Sequence, residues 1–226
     1  MYTYSKKSRR RMHAIPAAIA LALVALLWLF TGASHTHAEQ ILSAQTISLW
    51  ESDCRQCDVS SEYDVLQGDV VHLSSRNDVM ISREIDNTPQ AALLSWRWSV
   101  DPFVEGGTLL RVTLHIAETA DWPARTLHYV WDNRLQTGTI ETLSDFEHRI
   151  VVTGDEGKAE SWFGINRDLN ADWAALYNEP LPAIERIDVG LGMPGERAPA
   201  GAFISAITLQ SQDSAQLPQP AVATDE

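Results

Sequence analysis

Arg97, Arg111, His115 and His128 are the side chains whose type and spacing could build a binding site in this chain. Arg97 sits in Leu93-Leu-Ser-Trp-Arg-Trp-Ser-Val100, on the opposite parity to Leu94, Trp96, Trp98 and Val100. Arg111 and His115 alternate with Val112, Leu114 and Ile116; His128 alternates with Leu127, Tyr129 and Trp131. Alternation of this kind puts one set of side chains on each face of a strand. If the three strands are neighbours in one sheet, the four side chains form a basic patch. Arginine offers paired N–H donors to a carboxylate, so the patch would suit an anionic small molecule. The competing reading is a solvated sheet face whose cations pair with nearby acids. The two histidines could also serve a metal, but no third ligand stands at a matching spacing, so neither a metal nor another cofactor is expected.

These residues need strands to hold them. Two tryptophans on one face of Leu93–Val100 demand a thick apolar layer opposite, which makes this a central strand of a packed sheet. Thr108–Ile116, Thr126–Trp131, Phe146–Val152 and Ser161–Ile165 follow as strands. Upstream, Gln45–Trp50, Tyr63–Leu66, Val70–Leu73 and Val79–Ser82 read the same way, with turn residues between them. Ile184–Leu191 and Ala202–Leu209 close the set. Between residues 166 and 177 the period changes: Leu169, Trp173 and Leu176 recur at helical spacing, and Asp168 or Asn170 can cap the start. Many short strands with one short helix predict an all-β sandwich. Most of the eight tryptophans fall on core-facing positions, and Trp122 and Trp173 are the ones expected to be exceptions.

The chain has 226 residues, 45% of them hydrophobic, and a formal net charge of -13. Five of the 17 basic residues precede residue 12, and the first acid is Glu39, so from there on 12 basic face 30 acidic residues, a net of -18. A body that acidic repels phosphate backbones, which excludes nucleic acid as a partner. Residues 1–38 read as a signal peptide: a basic start (Lys6–Arg11), an apolar run (Ile15–Phe30) and small residues at Thr36-His37-Ala38. The protein is therefore expected in the periplasm or otherwise exported. The rival is an uncleaved anchor over residues 15–33, the one route by which the chain would meet a membrane. The sandwich occupies 39–210, and 211–226 form a disordered acidic tail by composition.

Cys54 and Cys57 are the only cysteines. In an exported chain their spacing suits a local disulfide. A thioredoxin-like motif lacks its βαβ context, a haem site lacks its histidine at Asp58, and a zinc site lacks a second pair. No Gly-x-Ser-x-Gly elbow, His-Glu-x-x-His helix or phosphate loop is present, so no catalytic residue is named. Paired carboxylates could still hydrolyse an envelope glycan, but among 30 acids a pair in sequence means little.

One resemblance rests on a series of motifs: Leu94-Ser-Trp-Arg-Trp-Ser-Val100, Arg111-Val-Thr-Leu114, Leu127-His-Tyr-Val-Trp131, Trp162-Phe-Gly-Ile-Asn-Arg-Asp168 with Asp172-Trp173, and Ala202–Leu209. Their order resembles the bacterial domain-of-unknown-function family numbered 3047, over roughly residues 45 to 209. His128 stands where family members carry asparagine. The resemblance implies a jelly-roll sandwich of galactose-binding type, and no catalytic activity follows from it. It also implies Trp131, Asn166, Arg167 and Asp172 as ligand-binding candidates beside the four cationic side chains. A non-catalytic domain binding a glycan or an anionic small molecule is expected. An envelope glycan hydrolase and an envelope assembly protein are the alternatives.

Overall fold

The computed structural model describes residues 38–52, 57–75, 79–85, 92–102, 107–193 and 201–211. All of these belong to one compact unit, Thr36–Glu226. The expected signal peptide lies outside the described residues, as does the tail from residue 212 on. Cys57 opens a strand, but Cys54 and with it the expected disulfide also lie outside them.

The strands, in chain order, are β1 (Ala38–Leu42), β2 (Glu51–Ser52), β3 (Cys57–Asp64), β4 (Gly68–Ser75), β5 (Val79–Glu84), β6 (Ala92–Val100) and β7 (Thr108–Ile116). They continue as β8 (Arg125–Asp132), β9 (Ile140–Ser144), β10 (Glu147–Thr153), β11 (Phe163–Asp168), β12 (Ile184–Leu191), β13 (Gly201–Ile204) and β14 (Ile207–Ser211). One helix, α1 (Leu169–Tyr177), follows β11.

The strands form two sheets of seven. In the first, β6 is central. Its Trp98 pairs with Phe163 of β11 on one side and Ile204 of β13 on the other, while β14 pairs its other end. β1 continues from β14, and β4 then β3 from β13. The second sheet runs β2-β5-β12-β7-β8-β10-β9, antiparallel except where β10 lies parallel to β8. The protein is thus an all-β, jelly-roll type sandwich with one short helix.

The tryptophan alternation holds. Leu94, Trp96, Trp98 and Val100 are buried in the core. Trp96 meets Tyr129 of the second sheet at 5.9 Å between ring centres, and Trp98 meets Trp131 at 6.2 Å. The Trp98 indole N–H donates to Thr153 Oγ1 at 3.0 Å, so the large ring is buried without an orphaned donor. Helix α1 starts where expected: the Asp168 carboxylate accepts from Ala171 N–H at 3.0 Å. It ends on Asn178 in the left-handed region, φ 54°.

Several expectations are corrected. Gln45–Trp50 is not a strand; Ile47–Leu49 forms a single 3-10 turn. Thr46 causes this: its N–H bonds to the Ser43 carbonyl and its hydroxyl accepts from Ser43 N–H, giving the backbone local partners in place of a ladder. Ala202–Leu209 is two strands, because Ser205 and Ala206 step the register by one residue against β6. The Ser205 hydroxyl accepts from Arg97 N–H at that step, at 2.9 Å. Trp173 is fully buried, holding α1 against the core, whereas Trp122 is half exposed as expected. β1, β2 and β9 lie outside the strands that alternation predicts; β9 is a largely exposed strand, without the clean alternation that marks a half-buried one.

Candidate functional site

The condition for a four-membered basic patch fails. Arg97 is on β6 in the first sheet; Arg111, His115 and His128 are on β7 and β8 in the second. Each set points away from the core, so the two lie on opposite outer faces.

On the second sheet's outer face a polar row crosses six strands. Ser82, Asp188, Thr113, His128, Arg149 and Glu141 are successive register neighbours. Their charges are matched among themselves. Arg149 forms an ion pair with Glu141 and donates to Thr108 Oγ1 at 3.0 Å. The His115 ring lies 2.6 Å from Asp188, and Arg186 donates to the same Asp188 carboxylate at 3.0 Å. Arg111 is buried and donates to the carbonyl of Gly192, its guanidinium lying over Gly190. This face carries the expected ion pairs but is not a solvated one, since Arg111, Thr113, His128, Arg149 and Asp188 are buried and Arg111 donates to backbone oxygens.

His128 bridges Thr113 Oγ1 at 2.9 Å and Glu147 at 2.8 Å. Burial pulls its pKa below the ordinary histidine value, and the Glu147 bond only partly offsets this. Hydroxyl, imidazole and carboxylate stand in the order of a nucleophilic triad. The Thr113 side chain is only 2% exposed, in the middle of a strand, so no substrate carbonyl reaches it. Among the described residues no group of three or more His, Cys, Asp or Glu is placed to hold a metal ion.

Arg167 and Asp172 do come together. The Arg167 guanidinium clasps the Asp172 carboxylate with Nε at 2.9 Å and with Nη2, and lies over the Tyr129 ring at 5.7 Å. The Tyr129 hydroxyl donates to the same carboxylate at 2.7 Å. Burial and the adjacent carboxylate hold the Tyr129 pKa well above the usual phenol range. Trp131 is fully buried against Trp98 and Phe163, as a core residue. Asn166 pairs with Ser95 on the outer face of the first sheet, the same face as Arg97.

That outer face carries a concavity the sequence reading missed. Val70, Ser99 and Phe203 hold the parity opposite to core residues Val71, Trp98 and Ile204. They floor a depression of about 300 Å³ whose walls include Tyr63, Trp162, Glu62, Asp64, Asp101 and Glu160. Phe203 stacks on His72 at 4.3 Å and faces Trp162 at 6.5 Å. His72 is held by Glu62 at 3.1 Å. Asp64 accepts the Leu66 and Gln67 N–H groups at 2.7 and 2.8 Å, which folds the β3–β4 hairpin beside the depression. Those two bonds, with the Trp162 indole as a further donor, hold the Asp64 pKa below its ordinary value. Tyr63 is 74% exposed, and Arg97 lies two residues along β6 from Ser99. The available signal was Phe203, an aromatic at outward parity between buried Ala202 and Ile204.

Residues 107–190 match the model of the family described as protein of unknown function, DUF3047. The resemblance is to that family. The matched stretch carries β7, β8 and α1 and lends Trp162 and Glu160 to the depression; its other walls come from outside the match. No curated protein matches the chain. Solved structures similar to it include carbohydrate-binding modules. A family 11 carbohydrate-binding module from Clostridium thermocellum, in complex with a β-1,3-1,4-mixed-linked tetrasaccharide, is 10% identical over 76% of this chain and 94% of that one, at a TM-score of 0.44. The CBM22-1 xylan-binding domain of Paenibacillus barcinonensis Xyn10C is 8% identical over 77% and 92%, at 0.41. The Clostridium thermocellum xylanase 10B CBM22-1–GH10 modules, complexed with xylohexaose, are 7% identical over 82% and 30%, at 0.47.

Proposed function

We propose that this is an exported, non-catalytic β-sandwich that binds carbohydrate in the depression on the outer face of the β6 sheet. The observation that carries the reading is the convergence of Tyr63, Trp162 and Phe203 on one concavity together with Ser99 and several carboxylates. Aromatic rings offer apolar faces to the C–H faces of a sugar, and fixed polar groups orient its hydroxyls. A volume of about 300 Å³ stands at the small end of ligand sites, suited to one or two sugar rings. Export rests on the basic start, the apolar run and the small residues at Thr36-His37-Ala38.

The test is titration calorimetry of the mature domain against a panel of neutral and acidic oligosaccharides. Saturable binding is expected, and Trp162→Ala should weaken it about tenfold or more, the scale of a lost aromatic stack. Binding indifferent to Trp162→Ala, or none at all, overturns the site. Turnover of any glycan overturns the non-catalytic reading. Fractionation of cells making the full chain tests export: product in the cytoplasm refutes it, and retention in the inner membrane favours the anchor over residues 15–33.

A further inference from the structure

We propose that the sugar bound in the depression bears a free, protonated amine. The inference rests on the carbohydrate reading above and adds the class of sugar. Four carboxylates line the concavity, Glu62, Asp64, Asp101 and Glu160, and among the described residues that line it there is neither lysine nor arginine. An ionised carboxylate only accepts hydrogen bonds. A wall of acceptors therefore favours a ligand rich in donors.

The four are not equivalent. Asp64 is engaged by the Leu66 and Gln67 backbone and Glu62 by His72. Asp101 stands 3.9 Å from His72, too far for a hydrogen bond, with its side chain one-third exposed. Glu160 is exposed at the rim, on left-handed backbone at φ 60°. Asp101 and Glu160 are thus the acceptors offered to a ligand.

The aromatic walls act in the same sense. Tyr63, Trp162 and Phe203 line the same concavity, and an ammonium seated over a ring face is attracted by its quadrupole. An ammonium supplies three donors and one positive charge where an acetamido group supplies one donor and no charge. Uronic acids and sulfated sugars meet repulsion at the same place. A glucosamine unit in a β-linked oligosaccharide, with its amine unacetylated, meets each condition.

The experiment compares three hexasaccharides by calorimetry at pH 5.5 and fixed ionic strength: glucosamine, N-acetylglucosamine and glucose, all β-1,4-linked. The free-amine hexamer should bind about tenfold more tightly than the acetylated one, the scale of one desolvated charge interaction. Glu160→Gln alone, and with Asp101→Asn, should shrink that ratio at least about threefold, as expected for loss of one or two charge partners. The control pair Glu118→Gln and Asp121→Asn, on the β7–β8 connection away from the depression, should leave it unchanged. Unaltered melting temperatures show that the variants fold. Equal affinity for all three sugars overturns the amine inference and leaves the carbohydrate reading standing. A ratio untouched in the depression variants also overturns it, assigning the preference to the body's overall charge. Binding of none of the three overturns the amine inference, and the wider oligosaccharide panel then decides the carbohydrate reading.

Discussion

The Tyr129 hydroxyl donates to the Asp172 carboxylate at 2.7 Å, and the Arg167 guanidinium holds that carboxylate as well. Tyr129 belongs to the second sheet, Arg167 to the first and Asp172 to the helix. One carboxylate therefore fastens three elements at the edge of the sandwich. Asp172→Asn weakens the clasp and Asp172→Ala removes it, leaving a buried hydroxyl unmet. We expect Asp172→Ala to cost about 1–3 kcal/mol, and Tyr129→Phe about 1 kcal/mol, because deleting the donor orphans less than deleting the shared acceptor. Arg167 is about one-third exposed, so water takes up part of its loss. Urea unfolding of the three proteins checks the order.

Gly190 lies on the second sheet where Arg111 crosses it. A Cβ there would stand 2.7 Å from the Val79 carbonyl and 3.0 Å from Arg111 Cζ. Gly190→Ala should destabilise by about 1–3 kcal/mol through overpacking against backbone. Arg111→Ala should also destabilise, since it strips the donor from the Gly192 carbonyl, while leaving glycan affinity unchanged. A calorimetric loss of binding with full stability would reverse that assignment.

Tyr63 lines the depression from the β3 edge of the first sheet, whereas Arg97, on the outer face of β6, does not line it. Tyr63→Ala should lower oligosaccharide affinity about tenfold, the scale of one aromatic contact, without lowering the melting temperature. Its ring is largely in water, so little burial is lost. Arg97→Ala should change affinity less than about twofold, as expected for an exposed charge outside a site. Parallel titrations of the two variants separate ring contact from charge.

His128 sets a pH dependence. Its folded pKa is depressed below the ordinary 6.5 by burial, so the unfolded chain takes up the proton first. Stability from this group is fully present above pH 6.5 and is lost as pH falls from there through the folded value. His148, also depressed by burial, adds in the same direction. Folding free energy measured from pH 7.5 down to 5 should decline, and His128→Gln should flatten part of that decline. An unchanged slope in the variant would show that other groups carry the loss.

Much of this was legible from local pattern. The strict alternation around Trp96 and Trp98 determined a strand with one buried face, because that face cannot stay in water at such apolar area. The switch of period at Leu169, Trp173 and Leu176 determined the helix, and Asp168 its capped start, since both signals act within a few residues. Thr46 and Ser205 fall outside that pattern for the opposite reason: each makes a polar bond to backbone that apolar periodicity does not register.

The site was decided elsewhere. Periodicity states which face of its own strand a residue takes, and Arg97, Arg111 and His128 each took the outward one. It does not state which sheet a strand joins, because hydrogen-bond pairing is non-local and any edge can accept any strand of suitable length. The sequence by itself determined a sandwich enclosing indole rings and an acidic surface. Only the tertiary structure set Arg97 on the opposite outer face from the histidines, and gathered Tyr63, Trp162 and Phe203, up to 140 residues apart, around one concavity.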